Sequence, residues 1–215
     1  MLKGVIFDLD GVIVSTDNYH YLAWKRMADE ENIYFDRKIN DRLRGVSRMQ
    51  SLEILLERSK KNYTQAQKED MAQRKNTYYQ ELIKNLTPKD ILKGAKEFAQ
   101  ELKDFNIKIA VGSSSKNCKD IINYIGLNGF FDAVADGTMI NNSKPDPEVF
   151  LLAAKLINIE PENCLVVEDA HSGIIAAKNA GMYALAIGAA QTCGIADMKS
   201  KDLGSLDASM VISKF

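Results

Sequence analysis

Two aspartates separated by one residue, Asp8 and Asp10, close a short apolar run and are followed at once by Gly11. Far along the chain an adjacent acid pair, Glu168-Asp169, closes another apolar run that begins at Cys164. Between them a hydroxyl-rich turn, Ser113-Ser114-Ser115, follows the apolar run Ile107 to Val111, and a Lys144-Pro145 pair lies further on. Singly, each is ordinary: a strand-end aspartate often caps the next helix, serine clusters make turns, and Lys-Pro suits a surface loop. Together, each at a strand end or in the loop before a helix, they need several independent coincidences to mean nothing.

The chemistry they permit follows from charge. Two carboxylates about 4 Å apart repel by roughly 4 kcal/mol at an effective dielectric of 20. A hard divalent cation with oxygen ligands relieves that, and Mg²⁺ suits best because it takes one or two carboxylates, keeps waters and accepts phosphate oxygens. No histidine or cysteine adjoins the acids, and His171 just past the second pair reads as a helix-start residue, which disfavours zinc. With a phosphate held there, Asp8 can act as a nucleophile and form an acyl phosphate. Lys144 and the Ser113 hydroxyl suit the transferring oxygens, and Asp10 suits a proton donor to the leaving alkoxide, which requires a raised pKa in a closed, dry site. A signalling module that accepts a phosphoryl group on a strand-end aspartate is the non-catalytic alternative; Asp10 and the basic helical segment described next argue against it.

These groups need a scaffold. Gly4 to Phe7 reads as a buried strand, and from residue 92 onward helix and strand alternate: helix 92–105, strand 107–111, helix 116–125, strand 132–136, helix 147–157, strand 164–167, helix 173–180, strand 183–187 and a weak last strand at 210–212. That alternation predicts a parallel sheet covered on both faces, whose ligands bind beyond the carboxyl ends of the strands. Residues 14–90 contain no convincing strand. Tyr19, Leu22, Ala23 and Met27 recur at helical spacing behind Thr16, a candidate N-cap; Leu52, Leu55 and Leu56 mark a second helix, and Met71 to Leu86 a long one. This all-helical insertion carries 15 Lys and Arg against 12 Asp and Glu, and the remainder 13 against 17. Two solvated surfaces of ordinary composition account for the asymmetry, as does a basic lid over an acidic floor that binds an anion with its cation.

The whole chain has 215 residues, 46% apolar and 27% charged, with a net charge of −1. That length buries about 70% of the unfolded surface without disulfides or structural metal. Near-neutral charge gives no reason to expect nucleic acid or an anionic membrane as partner. No apolar run reaches the ~18 residues of a transmembrane helix, and carboxylates interrupt the N-terminal run where a signal peptide would continue. The three cysteines, Cys118, Cys164 and Cys193, form no CxxC or zinc pattern, so reduced thiols and a cytoplasmic location are expected, as is a monomer.

Asp8-Leu9-Asp10-Gly11-Val12, Ser113, Lys144-Pro145-Asp146-Pro147 and Glu168-Asp169 resemble the four motifs of the haloacid dehalogenase superfamily. The resemblance covers the whole chain. It implies a Rossmann-like core (residues 1–14 and 91–215), an α-helical cap (residues 15–90), Mg²⁺, and an aspartyl-phosphate at Asp8. It also implies metal binding by the Asp8 side chain, the Asp10 backbone carbonyl and Asp169, with Glu168 in support. Asn18-Tyr19-His20 with Ala23-Trp24, Gly45-Val46-Ser47-Arg48, Arg74-Lys75-Asn76 and Ser115-Lys116-Asn117 further resemble the β-phosphoglucomutase family. That resemblance implies a sugar bisphosphate as ligand, with Arg48, Ser115, Lys116 and Asn117 on the phosphate not being transferred, His20 and Lys75 gating Asp10, and Thr16 in the hinge.

Local sequence supports the second resemblance only in part. His20 and Trp24 share a helix face, but Trp24 also suits the core. Lys75 falls in the stripe Met71, Tyr78, Leu82 and Leu86, where lysines usually snorkel. Arg48 beside Ser47 makes a phosphate fork or an exposed helix-start charge. Ser15 and Ser114 depart from the family pattern without removing a catalytic group. The expected reaction is interconversion of β-glucose 1-phosphate and glucose 6-phosphate, with a Mg²⁺-dependent sugar-phosphate phosphatase of the same superfamily as the alternative.

Overall fold

The computed structural model describes residues 1–43 and 46–215. The chain folds into two compact units, Met1–Ser15 with Thr87–Phe215, and Thr16–Leu86.

In the first unit six parallel strands stand in the order β3-β2-β1-β4-β5-β6: β1 Gly4–Phe7, β2 Lys108–Gly112, β3 Ala133–Ala135, β4 Cys164–Glu168, β5 Tyr183–Ala186 and β6 Met198–Lys199. β1 is buried along its whole length and pairs with β2 on one side and β4 on the other. Its unbroken apolar run is what a strand covered on both faces requires. The chain fills one side of β1 with β2 and β3, then crosses to β4. The order reverses at β1, and open parallel sheets bind ligands at such a reversal. Among the helices of this unit are α5 (Ala95–Asp104), α6 (Cys118–Tyr124), α7 (Glu148–Leu156), α8 (His171–Asn179) and α9 (Ala208–Lys214). Phe150 and Val149 of α7, Ile174 and Ala177 of α8, and the inward residues Ile6, Ala110 and Val166 form one continuous core.

The C-terminal segment differs from the expected strand. Met210 to Ile212 lie inside α9, and the sixth strand is Met198–Lys199. Asp207 caps the helix by accepting from the Met210 amide at 3.2 Å, and Ala208 and Val211 are buried at a spacing of three while Met210 is exposed. A two-residue strand has no periodicity to read, and β6 is held instead by Asp197, whose carboxylate accepts from the Ala184 amide and from Lys178.

The second unit is helical: α1 Asp17–Glu30, α2 Arg37–Asp41, α3 Arg48–Leu56 and α4 Gln65–Ile83. Trp24, Met27, Phe35, Leu52, Leu55 and Met71 belong to its own apolar core. Reciprocal capping boxes start α3 (Ser47 with Gln50) and α4 (Thr64 with Gln67). Thr16 occupies the N-cap position of α1, but its side chain makes no capping bond there. Its hydroxyl faces Tyr79 instead. Among the described residues no helix is long and apolar enough to cross a membrane, and Cys118, Cys164 and Cys193 are free and buried.

Candidate active site

The first carboxylate is placed by the sheet itself. The Asp8 amide donates to the Val167 carbonyl at 3.0 Å, so Asp8 extends the pairing of β1 with β4. Glu168, the last residue of β4, is 1% exposed and its carbonyl accepts from the Ile187 amide at 2.8 Å. Lys144, from the loop before α7, spans the two acids: its Nζ lies 2.5 Å from Asp8 Oδ1 and 2.7 Å from Glu168 Oε1, and 4.4 Å from the centre of the Phe150 ring. The second Glu168 oxygen accepts from the Ala170 amide at 2.8 Å. The peptide between Lys144 and Pro145 is cis.

Oxygens of Asp8, Glu168 and Asp169 all lie within 4.8 Å of one another. Asp10 contributes no side-chain oxygen to that group. Two glycines make the crowding possible. Gly11 has φ +83°, and a Cβ there would meet Asp169 Oδ2 at 2.1 Å; a Cβ at Gly173 would meet Glu168 Oε1 at 1.8 Å.

The electrostatics show what is lacking. Burial pushes the Glu168 carboxyl above the usual range despite the nearby Lys144. Burial, reinforced by the charges of Asp8, Glu168 and Asp10, pushes Asp169 up to about 8. Burial alone would lower the Lys144 ammonium, but Asp8 and Glu168 reverse this and hold it above the ordinary lysine value. One lysine thus faces three clustered carboxylates. An all-oxygen donor set with surplus negative charge fits a hard divalent cation.

Ser113, just past the end of β2, is 3% exposed; its amide donates to the Ala135 carbonyl at 3.0 Å and its hydroxyl accepts from the Ser115 amide at 3.2 Å. The Ser115 hydroxyl repeats the motif, accepting from the Asn117 amide at 3.2 Å. Lys116 is exposed and Asn117 buried at the start of α6. These tandem serine turns arrange Ser113 to Asn117 as one compact loop.

The helical unit assembles a second group. His20 and Trp24 stand one turn apart on α1, and Trp24 is 2% exposed within the apolar core. Lys75 does not snorkel: it is 3% exposed, its Nζ 2.8 Å from His20 Nδ1 and 5.0 Å from the centre of the Trp24 ring. The buried face of α4 runs through Met71, Lys75, Tyr79 and Ile83, while Tyr78 lies half-exposed, so the expected stripe shifts by one residue at Tyr78 and Leu82. Tyr79 was missed for that reason, although Lys75 and Tyr79 share i, i+4 spacing. An ammonium has only donors, so Nδ1 accepts and the imidazole is neutral with its proton on Nε2. Burial, Lys75 and Arg48 together hold the His20 pKa well below the usual value.

Arg48 opens α3 half-buried, donating to Asn76 Oδ1 at 2.7 Å. Burial lowers its pKa. Arg74, one residue before Lys75, contrasts with it: Asp70, Glu30 and Glu31 all accept from it. Gly45 lies outside the described residues.

The profile of the haloacid dehalogenase-like hydrolases matches residues 2–181. The chain is 44% identical over 207 residues to a β-phosphoglucomutase of Bacillus subtilis, covering 95% of this chain and 92% of that one. It is 31% identical over 184 residues to a phosphorylated carbohydrates phosphatase of Thermotoga maritima, covering 84% and 82%. The crystal structure of a β-phosphoglucomutase from Clostridium difficile superposes with a TM-score of 0.91 at 39% identity, covering 100% of this chain and 97% of that one. With an acid cluster at the sheet's reversal point and similarity running nearly end to end, the chain belongs to the haloacid dehalogenase-like hydrolase family and, within it, to the β-phosphoglucomutases.

Proposed function

We propose that the protein interconverts β-glucose 1-phosphate and glucose 6-phosphate through an aspartyl-phosphate at Asp8 and a β-glucose 1,6-bisphosphate intermediate. One observation carries this reading: 44% identity along 95% of the chain to a β-phosphoglucomutase, on a fold that clusters Asp8, Lys144, Glu168 and Asp169.

In this reading Asp8, the Asp10 carbonyl and Asp169 hold Mg²⁺, with Glu168 in support. The ion supplies charge neutralisation for the phosphoryl oxygens and the clustered carboxylates. A carboxylate oxygen of Asp8 attacks the phosphorus of the bisphosphate, the bond from phosphorus to the sugar oxygen breaks, and Asp10 gives that oxygen its proton. In the next transfer Asp10 takes the proton from the attacking sugar hydroxyl as the phosphoryl group leaves Asp8. Lys144 and Ser113 bind the transferring phosphoryl oxygens.

A mutase needs a second phosphate site, because the intermediate must bind in two orientations. By the family resemblance, Arg48, Ser115, Lys116 and Asn117 would bind that phosphate. Arg48 suits it because burial already disfavours its charge and its hydrogen-bond partner Asn76 is a neutral amide, so a substrate phosphate supplies the missing counter-charge. Gly45, three residues before Arg48 in the sequence, would join this set. By the same resemblance, His20 and Lys75 would help gate Asp10, with Trp24 in the apolar core beside Lys75 and Thr16 in the hinge. Holding Asp10 inactive until sugar is bound keeps water from the acyl phosphate.

The phosphatase reading draws support from the Thermotoga maritima relative. An assay with β-glucose 1-phosphate, Mg²⁺ and a trace of the bisphosphate separates the two. Glucose 6-phosphate should accumulate with little phosphate release; predominant phosphate release overturns the mutase reading.

A further inference from the structure

The mechanism above uses His20 and Lys75 but gives no role to the residue touching both. Tyr79 stands one helical turn after Lys75 on α4 and is 1% exposed. Its ring stacks on the His20 ring, centroids 4.1 Å apart and planes 27° from parallel. Lys75 Nζ lies 4.7 Å from the centre of the same ring. Its hydroxyl donates to Thr16 Oγ1 at 3.0 Å, and the Thr16 carbonyl accepts from the His20 amide at 2.9 Å. The three residues therefore form a closed circuit: Thr16 backbone to His20, His20 ring to Tyr79 ring, Tyr79 hydroxyl back to Thr16.

Space-filling alone does not call for this residue. Phenylalanine or leucine would fill a buried site without a hydroxyl to satisfy. The hydroxyl fixes the rotation of the ring, and the ring fixes the plane of the imidazole. Thr16 forgoes capping α1 and turns its hydroxyl toward Tyr79. Thr16 is also where the chain enters the helical unit, so the imidazole is referenced to that entry point.

We infer that Tyr79 is a positioning residue for phosphoryl transfer: it clamps the His20 ring so that Nδ1 remains the acceptor for Lys75 and Nε2 carries the proton. The inference rests on the reading that His20 and Lys75 gate Asp10. Burial, then Lys75 from α4 and Arg48 from α3, set the His20 protonation state, and Tyr79 stacks on the ring beside Lys75.

The experiment compares Tyr79→Phe and Tyr79→Leu with the wild type, each full-length and with Mg²⁺. Nitrogen-15 spectra of the histidine ring report the tautomer and titration of His20 without reference to activity. Tyr79→Leu removes the stack: His20 should titrate closer to its ordinary value with a mixed tautomer, and kcat should fall about tenfold with KM little changed. Tyr79→Phe keeps the stack but frees its rotation: His20 should shift part of the way, and kcat should fall about threefold. Phosphorylation of Asp8 by acetyl phosphate, which brings no sugar, should persist in both.

A His20 spectrum unchanged in both folded variants overturns the inference. If Tyr79→Leu does not fold, an unchanged spectrum in Tyr79→Phe overturns it alone. Failure of the mutase reading looks different: the wild type releases phosphate or forms no aspartyl-phosphate, while the His20 spectra still respond to Tyr79.

Discussion

The two units build their charged groups by opposite means. In the sheet unit, Asp8 and Glu168 are placed by backbone pairing at the ends of β1 and β4, and the dominant charge is negative. In the helical unit, His20, Lys75 and Arg48 come from three different helices, the charge is positive, and aromatic rings surround it. Backbone pairing fixes the Cα position of a strand-end carboxylate. Lys75 is positioned by side chains, His20 and the rings of Trp24 and Tyr79, and Arg48 by the Asn76 amide. In the proposed function the sheet unit carries the covalent step and the helical unit recognises the substrate.

The first way to break this contrast is at the fixed point. Asp8→Asn should reduce turnover by at least about 10⁴-fold and abolish aspartyl-phosphate, followed by mass spectrometry of the acid-quenched protein. Residual turnover within a factor of a hundred of wild type would move the covalent step elsewhere. Lys144→Ala tests whether the sheet unit needs its internal cation. It strands Asp8 and Glu168 together and should destabilise the protein by roughly 3–5 kcal/mol in urea denaturation. Added Mg²⁺ should recover part of that loss, because it binds the folded acid cluster and not the unfolded chain.

The helical unit predicts a smaller and different effect. Arg48→Ala should leave phosphorylation of Asp8 by acetyl phosphate intact while weakening bisphosphate binding about 10–100-fold, as loss of a charge-assisted contact does. Calorimetric titration of the bisphosphate checks it. Unchanged affinity would place the second phosphate elsewhere.

The same contrast explains what the sequence disclosed. Strand-end acids follow apolar runs, so Asp8, Glu168 and Asp169 stood out once several such strand ends were read together, though each alone was ordinary. The glycines beside them carried a signal too, since Gly11 and Gly173 leave room that a Cβ would fill. The cationic group had no such marker. Local sequence left Lys75 as a snorkelling lysine, because lysines in apolar stripes usually snorkel; the half-exposed Tyr78 instead bonds Glu30. Only the resemblance to a family singled out Lys75 and Arg48, and nothing singled out Tyr79. Capping residues misled once: Thr16 has the right type and place for a cap, but a buried tyrosine hydroxyl competes for it. At the C-terminus a β-branched pair suggested a strand, and Asp207 at the N-cap decided for a helix.

The smallest expected effect is thermodynamic and separates the units by the sign of their pH dependence. His20 is held neutral, its folded pKa well below the ordinary 6.5. Between those two values the unfolded chain binds a proton that the folded chain does not. Stability from this residue is therefore full above pH 6.5 and is lost as pH falls toward the folded value, at up to about 1.4 kcal/mol per pH unit. Asp169 acts in the other direction: its folded pKa is raised to about 8, so in metal-free protein its contribution diminishes as pH rises toward that value. Comparing wild type with His20→Asn isolates the first term, because Asn can still accept from Lys75 and the acids are common to both. Urea denaturation at pH 7.5, 6.5 and 5.5 should show the wild type losing stability relative to the variant only below 6.5. A difference that stays flat across that range would mean that His20 is not held neutral, and the stacked ring would lose its role in setting where the proton sits.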